Sequence, residues 1–224
     1  MNAFDVVIFD YDGTLFDTRS AIAHCIQRAF EERALPIPTH DRVMTVVKTG
    51  LPLPDTLIAL HGALRDDRAA LNELIRAYRR LYLDEGTPLL KPFFGVTDAL
   101  RQLHAGGAKC LVVSNKGIAA IRRSLDDSRL TSLVDLIFGD EPGLPKKPDP
   151  AILTDHILPR YAQLPRERIL IVGDTEIDIL FAKSAGATSC WASYGYGDAE
   201  RCRRLAPEHE ISSIEDLPAL VHRG

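Results

Sequence analysis

The stretch Val6-Val7-Ile8-Phe9-Asp10-Tyr11-Asp12-Gly13-Thr14 restricts the choice of fold more than any other part of the chain. Four apolar residues follow one another without alternation, the pattern of a strand buried on both faces. The run ends in two carboxylates one residue apart, then a glycine that lets the chain leave the strand in a sharp turn. In an open parallel sheet, the carboxyl edge is where ligands bind. Two like charges this close repel, at a cost of about 4 kcal/mol for a 4 Å separation at an effective dielectric of 20. The spacing therefore predicts a compensating proton, lysine or metal ion. A solvated Asp-Gly turn has the same local sequence, so the rest of the chain decides.

The 224 residues suit one large domain or two small ones. A net charge of −4, without any basic run, excludes nucleic acid as a partner. No apolar run approaches the ~20 residues of a membrane span. Asp5 and Asp10 come too early for a signal peptide. The cysteines (Cys25, Cys110, Cys190, Cys202) form no C-x-x-C pair, and Cys25 and Cys110 fall in apolar patterns expected of core thiols in a reducing compartment. A cytoplasmic, soluble chain is expected, as a monomer or homodimer.

After Thr14 the period changes to that of a helix. Asp17 and Thr18 offer N-caps for a helix over about 18–33, which Pro36 and Pro38 end. A short helix is expected over 39–48, another from Pro52 to His61, and a long one capped by Asp66 or Asp67 and running through Tyr82. Beyond residue 90 strands alternate with helices. The apolar runs Lys109–Val113, Leu136–Phe138, Ile169–Val172 and Thr188–Ala192 are expected strands, with helices over 96–105, 118–125, 150–160, 176–185 and 213–221. This order predicts an α/β fold, a Rossmann-like parallel sheet with helices on both faces. The first strand must join that sheet to bury its own faces. The core is then discontinuous, 1–16 plus 89–224, with a four-helix cap domain over 17–88 lying above the carboxyl edge.

Polar residues end four of these strands or their loops: Asp10 and Asp12, Ser114, Lys147, and Asp174 with Asp178. On one edge of one parallel sheet they converge. The residue types suit phosphoryl transfer. One aspartate of the first pair can be the nucleophile and the other a general acid and base, and spacing does not say which. Ser114 can meet phosphate oxygens, Lys147 supplies fixed charge, and Asp174 with the Asp12 carbonyl can hold a hard cation such as Mg²⁺. Asp178 can support that ion, or it can be a simple first-turn helix acid.

The chain resembles the haloacid dehalogenase superfamily, in particular its phosphoglycolate-phosphatase-like members with a helical cap. Asp10-Tyr11-Asp12-Gly13-Thr14 matches D-x-D-G-T, Ser114-Asn115-Lys116 the second motif, Lys147-Pro148 the third, and Gly173-Asp174-Thr175-x-x-Asp178 the fourth. The resemblance covers nearly the whole chain. It implies a Mg²⁺-dependent phosphatase with Asp10 as nucleophile, passing through an aspartyl-phosphate, with metal at Asp10, Asp12, Asp174 and Asp178. Ser114, Asn115 and Lys147 would bind a small phosphorylated substrate, phosphoglycolate being the first candidate. The match selects Lys147 over its neighbour Lys146, and Asp12 argues against the dehalogenase branch. Asp140 and Glu141 are expected to be surface acids, and His24, His61, His104 and Arg160 structural. Lys48, in a segment resembling a cap loop that meets substrate, either greets a second anionic group or is a solvated helix end. The same motifs serve a beta-phosphoglucomutase-like phosphomutase, a pyrophosphatase or a nucleoside monophosphate phosphatase. A phosphonoacetaldehyde hydrolase would have alanine in place of Asp12. A phosphometabolite-binding regulator should have lost an acid or the lysine, and none is missing.

Overall fold

The structure is a computed structural model that describes residues 2–161 and 164–222, so the expected core's outermost residues, 1 and 224, lie outside it. In chain order the elements are β1 (Val6–Phe9), β2 (Phe16–Asp17), α1 (Arg19–Glu32), α2 (His40–Val47), α3 (Leu53–Leu60), α4 (Arg68–Leu81), β3 (Lys91–Pro92), α5 (Val96–Ala105) and β4 (Lys109–Gly117). They continue with α6 (Ile118–Asp127), β5 (Leu136–Asp140), β6 (Ile169–Gly173), α7 (Glu176–Ala185), β7 (Thr188–Ala192), α8 (Ala199–Arg204), β8 (His209–Ile211) and α9 (Leu217–Val221). Among the described residues no helix is long and apolar enough to cross a membrane.

Six strands form one parallel sheet in the order β5-β4-β1-β6-β7-β8. The uninterrupted apolar run of β1 is explained by its central place. Val7 and Phe9 pack with Cys110, Val112, Leu100 and Leu217 on one face. Val6 and Ile8 pack with Leu111, Val113, Ile171 and Phe181 on the other. The chain builds outward from β1 through β4 to β5, then returns to build β6, β7 and β8 on the opposite side. That reversal opens a crevice at the carboxyl ends of the central strands.

A separate cluster, around Cys25, Ile26, Phe30, Leu57, Leu74 and Leu81, forms the interior of the helical segment between β2 and β3. Each such buried Leu or Phe contributes roughly 1.5–3 kcal/mol. Asp67 caps α4, accepting from the Ala70 N–H at 2.9 Å. The segment joins the sheet through an antiparallel ribbon of two residues per strand, Phe16 opposite Pro92 and Asp17 opposite Lys91.

Three expectations are corrected. The sheet has a sixth strand, β8, preceded by α8, which Asp198 caps by accepting from the Glu200 and Arg201 N–H groups. The helix expected over 150–160 instead contains a wide turn over Ile152–Ile157 and a tight one over Leu158–Arg160. Pro159, with no N–H and a ring that clashes with the preceding turn, prevents regular winding there. Thr18 stands at the N-cap of α1 without a side-chain bond to the helix, and Asp17 accepts from the Arg19 N–H at 3.3 Å instead.

Candidate active site

Register brings the polar strand ends together. Phe9 lies opposite Val112 on β4 and Val172 on β6, so Asp10, Ser114 and Asp174 emerge at nearly one level. Lys147 reaches into them from the loop after β5. Its buried Nζ donates to Asp10 Oδ1 at 2.5 Å and to Asp178 Oδ1 at 2.6 Å. Asn115 holds the Lys147 backbone, donating to its carbonyl at 3.1 Å and accepting from its N–H at 3.0 Å. The other Asp178 oxygen accepts from the Thr175 N–H at 3.0 Å and hydroxyl at 2.8 Å. Asp178 thus caps α7 and meets Lys147 at once.

Asp174 is fully buried and fixed from three sides. The Thr14 hydroxyl donates to it at 3.1 Å and the Tyr196 N–H at 2.7 Å, while the Trp191 indole donates to its carbonyl at 3.0 Å. The turn over 194–197, beyond β7, therefore positions this carboxylate. Gly13, at φ +84°, passes so close that a Cβ there would collide with the Asp174 side chain. Asp12 turns elsewhere. Its carboxylate pairs with Lys116 Nζ at 2.9 and 3.2 Å, and that ammonium also lies 3.8 Å from the centre of the Tyr82 ring.

Asp10, Asp12, Ser114, Lys116, Lys147 and Asp178 line a cavity of about 260 Å³ between the sheet edge and the helical segment. Its roof is mostly apolar, with Ile22, Leu51, Leu53, Tyr78 and Tyr82. Lys48 is exposed at the end of α2 and does not line the cavity. Arg79 does, as the one charged residue that the helical segment contributes among the described residues. Its Nη2 donates to Asp140 Oδ2 at 2.5 Å, and Lys146 pairs with the other oxygen of Asp140 at 2.9 Å. Asp140 is thus no plain surface acid, and Lys146 is no freely solvated lysine.

The sequence model for haloacid dehalogenase-like hydrolases matches residues 7–192. The chain belongs to this hydrolase family. The phosphoglycolate phosphatase of Salmonella typhimurium is 32% identical, over 96% of this chain and 91% of its own length. That of Aquifex aeolicus is 31% identical, over 96% of each. Among solved structures, a predicted phosphoglycolate phosphatase from Haemophilus somnus superposes with a TM-score of 0.85 at 25% identity, covering 98% of this chain and 99% of its own. A haloacid dehalogenase-like hydrolase from Bacteroides fragilis has the same TM-score at 24% identity, covering 96% and 99%, a likeness of fold.

In this hydrolase the site carries excess negative charge. Counted as ionised, Asp10, Asp12, Asp174 and Asp178 outnumber by two the ammonium groups among them, Lys116 and Lys147. Burial raises the Asp10 pKa to about 6, against the pull of Lys147 and with the push of Asp178 and Asp12. Burial, then the charges of Asp10 and Asp178, push Asp174 well above the ordinary carboxylate range. Burial opposes the charge of Lys147, but Asp10 and Asp178 override it and hold its pKa above the usual lysine value. Asp10, Asp174 and Asp178 each offer an oxygen within 4.8 Å of the others. An all-carboxylate donor set with unbalanced charge fits a hard divalent cation such as Mg²⁺ and disfavours soft metals.

Two contacts escape the motif reading. Lys116 was legible only as the third residue of a motif, with no signal that it would reach Asp12. Arg79 lay on the long helix expected through Tyr82, with nothing local to pair it with Asp140.

Proposed function

We propose that this hydrolase is a Mg²⁺-dependent phosphatase of small phosphorylated metabolites, acting through an aspartyl-phosphate on Asp10, with phosphoglycolate the first candidate. The supporting observation is the cluster of acids at the sheet edge: three buried carboxylates, two of them bonded to Lys147, at the foot of a partly open cavity. The relatives named phosphoglycolate phosphatase supply the first substrate to test.

In this reading the Asp10 carboxylate attacks phosphorus, and the bond from phosphorus to the ester oxygen breaks. Asp12, located by Lys116, gives a proton to the departing alcohol and later takes one from the water that hydrolyses the acyl phosphate. Ser114 and Lys147 bind the phosphoryl oxygens, and Asn115 keeps Lys147 in place. Asp10, Asp174, Asp178 and the Asp12 carbonyl would hold Mg²⁺, which when bound supplies positive charge to a phosphoryl group in transfer. The apolar roof excludes bulk water and limits the substrate to a small molecule.

The experiment is phosphate release from a panel of phosphorylated metabolites with Mg²⁺ or with excess chelator, repeated with Asp10→Asn. Release that needs Mg²⁺ and Asp10 is expected. Activity near wild type in Asp10→Asn would sink the mechanism.

A further inference from the structure

We infer, on the phosphatase reading above and its first candidate substrate, that Arg79 is the residue that selects the substrate, by holding the carboxylate of phosphoglycolate.

The roof of the cavity is built from Ile22, Leu51 and Leu53 with the neutral hydroxyls of Tyr78 and Tyr82, and so offers an anion no charged partner. Arg79, on α4, is the exception. Its guanidinium already holds a carboxylate, that of Asp140 at the end of β5, so it is oriented for that group. Nη2 makes this bond, and neither Nε nor Nη1 has a hydrogen-bond partner among the described residues. Nη2 carries a second hydrogen, so one edge of the planar fork, formed by Nη2 with an unpartnered neighbour, stays open to a second carboxylate in two parallel bonds.

Charge points the same way. Arg79, Asp140 and Lys146 together carry one positive charge, and a substrate carboxylate would cancel it. Lys146 already pairs with Asp140, so Arg79 can turn to the substrate without leaving Asp140 uncompensated. Lys48, the cation the sequence offered for this task, stands outside the cavity. The phosphoryl group at Asp10, Ser114 and Lys147 and the second anion at Arg79 would share one cavity of about 260 Å³.

The bland reading is that Arg79 and Asp140 only strut the helical segment against the sheet. A matched pair of esters separates the two. Isobutyl phosphate has the shape of 2-phosphoglycolate, with two methyl groups in place of the carboxylate oxygens. The readout is the ratio of kcat/KM for phosphoglycolate to that for isobutyl phosphate, at saturating Mg²⁺. Wild type is expected to favour phosphoglycolate by more than ~10-fold. Arg79→Met should lower the ratio at least ~30-fold, about 2 kcal/mol, mostly through the KM of phosphoglycolate. Arg79→Lys should fall between them. Asp140→Asn, which frees the guanidinium, should leave the ratio at or above wild type.

A strut predicts otherwise. Both variants would then weaken both esters alike, and a ratio within ~3-fold of wild type in Arg79→Met overturns the inference. Should Arg79→Met fail to fold, a fall of the ratio in Asp140→Asn overturns it as well. A wild-type enzyme that hydrolyses both esters equally refutes the carboxylate class while leaving the phosphatase reading intact. Release from neither ester, nor from any other phosphate monoester, overturns the phosphatase reading and this inference together.

Discussion

The two ends of the central strands use the same side chains to opposite effect. At the amino end, Asp5 before β1 meets Arg168 before β6, with both carboxylate oxygens bonded at 2.5 Å. At the carboxyl end of the same four-residue strand, Asp10 meets Lys147 at the same distance. The Asp5 side chain is 41% exposed and that of Asp10 10%. Bonded to Arg168, Asp5 titrates below the ordinary carboxylate value, whereas burial lifts Asp10 above it. Lys109 repeats the contrast on β4: it pairs with Asp135 in solvent, while Lys116 at the other end pairs with Asp12 under Tyr82. Ion-pair geometry therefore says little by itself. Burial, and a surplus of like charge, separate a site from a surface.

The contrast can be broken most severely through the reaction. Asp10→Asn should reduce phosphate release by at least ~10⁴-fold, roughly 5 kcal/mol of barrier, while Asp5→Asn stays near wild type in the same assay. Stability gives the next effect. Lys147→Met strands two buried carboxylates and should cost about 3–5 kcal/mol in urea unfolding without metal. Arg168→Met, at the exposed end, should stay within ~1 kcal/mol.

Metal sharpens the comparison further. Mg²⁺ at a hundred times its dissociation constant should stabilise wild type by about 2.7 kcal/mol, seen as a rise in melting temperature. Asp174→Asn should lose that rise and Asp5→Asn keep it. The smallest effects come with pH, as differences between wild type and each variant in chelator. The Asp5 contribution is present above its unfolded value of 3.8 and is lost as pH falls through the lower folded value, by less than ~1 kcal/mol given its exposure. The Asp10 contribution runs the other way: stability falls as pH rises from 3.8 through about 6, because the folded chain holds that proton longer. Curves that slope alike would contradict the distinction between the two ends.

What could be read from sequence followed the same division. Strands β1, β4 and β6 announce themselves because burial on both faces forbids polar interruptions, and β5 and β7 because short apolar runs alternate there with helices. The polar residues at their ends are then confined to one edge by topology, so Asp10, Ser114 and Asp174 could be brought together before any coordinates. Strand β8 escaped because three residues, one of them Glu210, carry no such run, and the two-residue strands β2 and β3 are shorter than any period. The pairings of Lys116 with Asp12 and Arg79 with Asp140 were illegible for another reason. They join residues 104 and 61 positions apart, on long side chains whose reach follows from packing rather than from sequence spacing.

The ribbon of β2 and β3 has a consequence for how such an enzyme changes its taste. The chain departs for the helical segment and comes back at neighbouring points, so the whole excursion over residues 19–90 hangs from a gate two residues wide. Closing a loop of twice the length costs only ~0.6 kcal/mol more. Helices can be lengthened, shortened or exchanged at that gate while β1, β4 and β6 keep their register. The sheet edge and the roof above it can therefore be inherited, or grafted in the laboratory, almost as separate parts.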